Sequence, residues 1–272
     1  MTITTQPIQG LSVVPVTGML GAELSGVDLS QPLDQATIQT IKDALNQHGV
    51  IFFRDQDLTP EQYLEFGGHF GEISVSKALP TVAGHPLINE LIRRPEAQPD
   101  VVGGVWHADQ TYRDEPTYGT MLYGLQVPEY GADTAYINMQ AAYEYLSEGL
   151  KQTLENLKGV HVHARNQKNR TPEEIAARPE VAVHPVVTTH PETGRKALYV
   201  SPGYTVRFDG WTEEESTPLL NFLFQHALRP EFGCRFRWRK GSIAFWDNRQ
   251  VWHYAINDST GHLRVMHRLV IG

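Results

Sequence analysis

The chain has 272 residues, of which 40% are hydrophobic and 20% charged, with 31 acidic against 23 basic side chains and a formal net charge of -8. That length buries a large core and that composition excludes wholesale disorder, while the acidic balance argues against a nucleic-acid partner. The single cysteine, Cys234, excludes an intramolecular disulfide framework and a thiolate zinc cage. The start, Met1 to Pro7, lacks a basic stretch followed by an apolar run, and no segment approaches the ~18–20 apolar residues of a membrane span. A cytoplasmic protein without membrane attachment is expected. No repeat or linker divides the chain, so residues 1–272 read as one domain, with lid-loop insertions at about 77–105 and 165–178.

Taken in order, Ile38, Ile41 and Leu45 give a helical apolar stripe that His48 and Gly49 terminate. Val50–Phe53 then reads as a short buried strand. Thr59-Pro60-Glu61-Gln62 is a capping box with proline at the first helical position, and Tyr63, Phe66 and Phe70 form the stripe that follows. The same signal returns at Thr171–Glu174 and at Thr212–Glu215. The latter opens a helix with Leu219, Leu220, Leu223 and Phe224 on its core side. The other candidates are strands: Leu87–Ile92, Gly119–Gly124, Asp133–Ile137, Val160–His163, Val181–Val187, Ala197–Val200, Cys234–Trp238, Ser242–Trp246, Val251–Ile256 and Leu263–Ile271. Many short strands with helices in clusters predict a mostly β protein, a sandwich or closed barrel-like sheet with flanking helices. No glycine-rich nucleotide-binding pattern occurs.

Among 12 histidines, Trp106-His107-Ala108-Asp109 stands out. On extended backbone, residues two apart leave on the same side, so an imidazole and a carboxylate can meet one ion. His253, at the end of Trp246-Asp-Asn-Arg-Gln-Val-Trp-His253, is a candidate third ligand. Two histidines and a carboxylate on one face of a metal form the facial triad of non-haem Fe(II) oxygenases. His161-x-His163 is an equally good pair by spacing, and we read it as a strand whose rings face solvent or a sheet neighbour. Arg264 and Arg268 lie four apart in an apolar strand and share a face. Their placement there is costly unless anions meet them, and a guanidinium fork suits a carboxylate or sulfonate; the alternative is a pair of strand-end arginines salt-bridged to local Asp or Glu.

Several segments agree in order and spacing with one family: Gly21–Leu29, Trp106–Tyr112, Gly131–Thr134, and Trp246–His253 through His267-Arg268. The chain resembles the taurine / 2,4-dichlorophenoxyacetate dioxygenases, which depend on Fe(II) and 2-oxoglutarate, from about Val14 to the C-terminus. The resemblance implies a double-stranded β-helix, or jelly roll, and often a homo-oligomer. It makes His107, Asp109 and His253 the iron ligands. Arg264 and Thr134 would hold the distal carboxylate of 2-oxoglutarate, and Arg268 the substrate anion. O2 would be consumed, succinate and CO2 released, and a substrate carbon hydroxylated. A carboxylate at Asp109, where related halogenases leave room for halide, implies hydroxylation. Where the attacked carbon bears a heteroatom, C–O or C–S cleavage follows.

The taurine-contacting histidine and tyrosine of the family align with Ser76 and Leu79, and its asparagine with Gly103. Tyr204 stands in place of a phenylalanine. The expected pocket is wider and more apolar, suited to a small anion with a larger apolar body: an alkyl sulfate, an alkylsulfonate or a phenoxyalkanoate. Lys77 and Arg93 are read as solvated surface charges, with steering of an anion as the alternative. The alternative within the same chemistry is a tailoring oxygenase on an amino-acid-like or carrier-bound intermediate. Two further alternatives are a non-catalytic binding protein and a zinc hydrolase.

Overall fold

A computed structural model describes residues 10–75, 79–96, 103–163 and 181–272. Strands dominate. A nine-stranded sheet runs in the order Ser12–Pro15, Ala22–Ser25, Val50–Phe53, Ile243–Asp247, Gly119–Gln126, Arg264–Ile271, His85–Arg93 and Thr81–Val82, with Ile73–Ser74 paired to Arg264–Ile271. A three-stranded sheet, Gly233–Phe236, Thr134–Asn138 and Val251–Ala255, lies against it. A second three-stranded sheet joins Val181–Pro185, Lys158–Val162 and Thr205–Phe208, and Val187–Thr189 pairs with Lys196–Leu198.

Alternation along the strands decides what each face meets. In Val50–Phe53 every residue is buried, because both faces are covered. Ile51 and Phe53 pack beneath the helices, with Ile41, Leu45, Tyr63 and Phe66. Val50 and Phe52 enter a core between the two sheets, with Tyr136, Phe236, Trp246 and Met266. Phe52 and Phe236 stack across that space at 4.1 Å. The strand Ile243–Asp247 divides likewise: Ile243 and Phe245 lie on the helix side, Ala244 and Trp246 between the sheets.

The helix Gln35–His48 ends at Gly49, whose φ of 72° is left-handed and suits glycine. Pro60–Gly68 opens on the expected capping box at Thr59 and Gln62. Glu213–Ala227 opens on a second box at Thr212 and buries Leu220, Leu223 and Phe224, with Leu219 at the margin of the same cluster. The Thr171–Glu174 signal and the 165–178 insertion lie outside the described residues. Within 77–105, His85–Arg93 is an integral strand paired along Arg264–Ile271. The candidate strand Val181–Val187 is divided at Val186, with Val181–Pro185 and Val187–Thr189 in different sheets. Among the described residues, no helix is long and apolar enough to cross a membrane.

Candidate metal centre

The site forms in the space between the two sheets, and strand parity selects its members. In Val251–Ala255, Val251 enters the inter-sheet core while Trp252 packs on the far side, so His253 shares the face of Val251. In Arg264–Ile271, Met266 marks the same inward face, which also carries Arg264 and Arg268. Thr120 lies on that face beside Leu122, and Thr134 beside Tyr136.

His107 is not in a regular strand. It joins the sheet through one isolated bridge to His253, with reciprocal backbone hydrogen bonds of 3.2 and 2.8 Å. That bridge brings together residues far apart in sequence and sets the two imidazoles side by side, their ring centres 4.1 Å apart and their planes tilted by 46°. Asp109 follows at the start of a turn. The ligand atoms of His107, Asp109 and His253 all lie within 4.8 Å of one another, and all three residues are buried. Nε2 of His107 is 3.7 Å from Asp109 Oδ1, and Nε2 of His253 is 3.8 Å from Oδ2.

The surroundings orient these groups. Nδ1 of His107 faces the Val105 carbonyl at 2.6 Å, which holds the proton there and leaves Nε2 as a free donor to an ion. Asp109 Oδ2 accepts from the Thr120 hydroxyl at 2.7 Å and meets Arg268 Nη2 at 2.8 Å. The Asp109 backbone N–H donates to Asn248 Oδ1 at 3.1 Å, and Asn248 Nδ2 donates to Thr120 Oγ at 3.0 Å. Burial opposes the charge on Asp109, yet Arg268, His253 and His107 outweigh it and hold the carboxyl well below its usual range. Burial, then His107, pushes His253 well below the ordinary imidazole value. Asp109 is thus held as a carboxylate and His253 as a neutral imidazole, the protonation a divalent cation requires. Two nitrogens and one oxygen from one side suit a borderline metal such as Fe(II) and leave coordination positions open.

A second subsite adjoins. Trp238 Nε1 donates to Thr134 Oγ at 3.0 Å, and the Arg264 guanidinium lies 5.8 Å from the centre of the same indole ring. Arg264 is half-buried, and its Nε is buried without a hydrogen-bond partner. An orphaned cationic donor beside a hydroxyl fits the far carboxylate of a keto acid held at the metal. Trp238, Thr120 and Asn248 were not singled out by sequence. Asn248 lies inside the segment that ends at His253, but its reach to Asp109 is visible only in three dimensions.

Of the candidate substrate contacts, Gly103 lies beside the metal ligands. A Cβ built on it meets His107 Cε1 at 3.6 Å, and its φ is 85°. The Tyr204 ring packs edge-on to His107 at 5.7 Å and against Tyr112 at 5.1 Å. Leu79 is half-buried, its carbonyl accepting from Asn89 Nδ2 at 3.3 Å, and Ser76 lies outside the described residues. Lys77 is likewise outside them. His161 takes the sheet-neighbour alternative: it is fully buried and bonded through Nδ1 to Thr111 Oγ at 2.9 Å. The strand turns it inward, toward His184 and Tyr199, rather than to solvent.

Residues 12–270 match the family model described as taurine catabolism dioxygenase TauD, TfdA family. An alkylsulfatase of Acinetobacter baylyi is 36% identical over 282 residues, covering 99% of this chain and 87% of the relative. An alpha-ketoglutarate-dependent sulfate ester dioxygenase of Pseudomonas putida is 33% identical over 272 residues, covering 96% of this chain and 89% of the relative. The crystal structure of a taurine dioxygenase from Burkholderia xenovorans matches with a TM-score of 0.84 at 38% identity, over 96% of this chain and 89% of that one.

Proposed function

The chain belongs to the taurine catabolism dioxygenase TauD, TfdA family, and from that premise we propose that it cleaves alkyl sulfates by hydroxylating the carbon that bears the ester. It is an Fe(II)- and 2-oxoglutarate-dependent dioxygenase. In this reading His107, Asp109 and His253 hold Fe(II), and the two facing sheets are the jelly roll. Bound iron supplies the activation of O2 that decarboxylates 2-oxoglutarate to succinate and CO2 and hydroxylates the substrate.

The chain's own residues do the rest. Arg264 and Thr134 hold the far carboxylate of 2-oxoglutarate, with Trp238 fixing the threonine hydroxyl. Arg268 holds the sulfate. Its fork has five donors, so the Nη2 contact to Asp109 leaves others for the substrate. Thr120 and Asn248 keep the Asp109 carboxylate turned to the metal. Tyr204 walls the pocket beside His107. One oxygen atom ends in succinate and the other as a hydroxyl on the substrate carbon. The hydroxylated ester then collapses: the C–O bond to sulfate breaks, the hydroxyl proton leaves, and an aldehyde and sulfate form.

The observation that carries the reading is the Arg268 guanidinium at 2.8 Å from a ligand of the buried three-residue centre. What favours an alkyl chain over the ammonium of taurine is the donor and acceptor inventory. Gly103 and Leu79 offer no polar side chain, so an ammonium group there would lose its hydration without compensation. The two relatives that act on sulfate esters or carry the name alkylsulfatase support the same choice. The test is aerobic turnover of hexyl sulfate with Fe(II) and 2-oxoglutarate. Hexanal, sulfate and succinate should form in equal amounts, and taurine should have a kcat/KM lower by at least about tenfold, equivalent to about 1.4 kcal/mol. Succinate formation coupled to taurine but not to hexyl sulfate would reverse the assignment.

A further inference from the structure

We infer that Arg93 is a second cation of the cosubstrate subsite, gripping the far carboxylate of 2-oxoglutarate together with Arg264. This rests on the dioxygenase reading above. Arg93 is the last residue of the strand His85–Arg93, and its register partner in the neighbouring antiparallel strand is Arg264. Directly opposed residues of such a pair leave on the same face, their Cβ atoms about 4.5–5.5 Å apart. That face is the inter-sheet one. Leu91, two residues earlier and opposite Met266, packs against the inter-sheet core, whereas Ile88 packs beneath the helices. The adjacent Arg94 points the other way and is exposed.

Nη2 of Arg93 is buried without a hydrogen-bond partner, as is Nε of Arg264. Among the described residues neither arginine makes an ion pair. Glu90, on the same strand, is directed to His267 on the opposite face, at 3.9 Å. The acid on the inner face, Asp109, is engaged by Arg268, four residues and about 13 Å along the strand from Arg264. Burial, and more weakly the Arg93 charge, push Arg264 down to about 10, so the two cations feel each other. Like charges opposed across a ladder are destabilising, and a shielded cation without a partner costs more. An anion between the guanidinia relieves both, and a carboxylate can accept from two forks at once. The adjoining hydroxyl of Thr134 makes this the end of the pocket that takes the cosubstrate, with Arg268 left to the substrate.

The consequence is selectivity for a keto acid with a charged tail. The test uses Mn(II)-loaded protein and calorimetric binding of 2-oxoglutarate and of 2-oxovalerate, which keeps the chelating end and replaces the far carboxylate by a methyl group. Arg93→Gln should weaken 2-oxoglutarate roughly 10- to 100-fold and leave 2-oxovalerate within about twofold, with Arg93→Lys in between. Without keto acid, Arg93→Gln should melt above the wild type, since it relieves repulsion. Unchanged affinity for 2-oxoglutarate, equal losses for both keto acids, or a lower melting point would overturn the pairing alone. Wild-type protein that binds neither keto acid would overturn the dioxygenase reading and the pairing with it.

Discussion

Replacing Thr120 by valine should weaken metal binding without touching a metal ligand. Thr120 is fully buried, donates to Asp109 Oδ2 at 2.7 Å and accepts from Asn248 Nδ2 at 3.0 Å. Valine keeps the volume and the β-branch and removes only the hydroxyl. A hydrogen bond to an ionised carboxylate contributes about 1.5–3 kcal/mol. Arg268 stays on Oδ2, and Asn248 keeps a longer contact to Thr117 at 3.4 Å. The lower half of that range, about 1.5–2 kcal/mol, therefore applies, a loss of roughly 10- to 30-fold in affinity. Calorimetric titration of Co(II) into metal-free wild type, Thr120→Val and Thr120→Ser measures it, the serine variant retaining most of the affinity because it retains the donor. A valine variant within twofold of wild type would show that Arg268 and the backbone alone hold Asp109, and would refute the positioning role.

Arg264→Leu should raise the dissociation constant of 2-oxoglutarate by roughly 100-fold, the loss expected for a shielded charge-assisted pair; anaerobic titration measures it, and an unchanged constant would return Arg264 to a structural role. Gly103→Asn should be tolerated, since asparagine adopts positive φ more readily than most residues and its Cβ meets His107 Cε1 at an ordinary 3.6 Å. It should narrow the pocket, raising KM for long alkyl sulfates more than for short ones. Burial, and then the His184 charge, push His161 down to about 3. A base whose folded value is depressed contributes stability above its unfolded value of about 6.5 and loses it as pH falls toward the folded value, at up to about 1.4 kcal/mol per pH unit. Chemical denaturation between pH 7 and pH 4 should thus give a shallower pH slope for His161→Gln than for wild type; equal slopes would refute the burial argument.

Much of the site was legible because a strand has a period of two. Arg264 and Arg268 were recognisable as sharing one face from their spacing and the apolar residues between them, whereas His253 was a candidate only through the segment that ends in it. The buried strand Val50–Phe53 and both capping boxes were legible because their signals are local. What stayed hidden depends on register and on distant pairing. Arg93 and Arg94 are equivalent in sequence, and only the pairing of Arg93 with Arg264 turns the first inward. Arg93 was read as a solvated surface charge, and burial of its Nη2 against the inner face corrects that. Trp238 reaches Thr134 across 104 residues, and Asn248 reaches Asp109 across 139. The strands Ser12–Pro15 and Thr205–Phe208 and the helices Met139–Glu144 and Glu148–Leu154 were missed, being too short to show a period. Spacing left His161 facing either solvent or a sheet neighbour, because a half-polar strand does not announce which face is covered; it meets His184 on the adjacent strand.

The central claim is that one buried centre binds Fe(II) and then chelates 2-oxoglutarate. The most direct measurement is anaerobic: Fe(II), then 2-oxoglutarate, added to metal-free protein while the visible spectrum is recorded. The account predicts a new metal-to-ligand charge-transfer band, absent with either component alone and absent in His253→Ala. Folded protein that binds iron yet shows no band on adding the keto acid would contradict it.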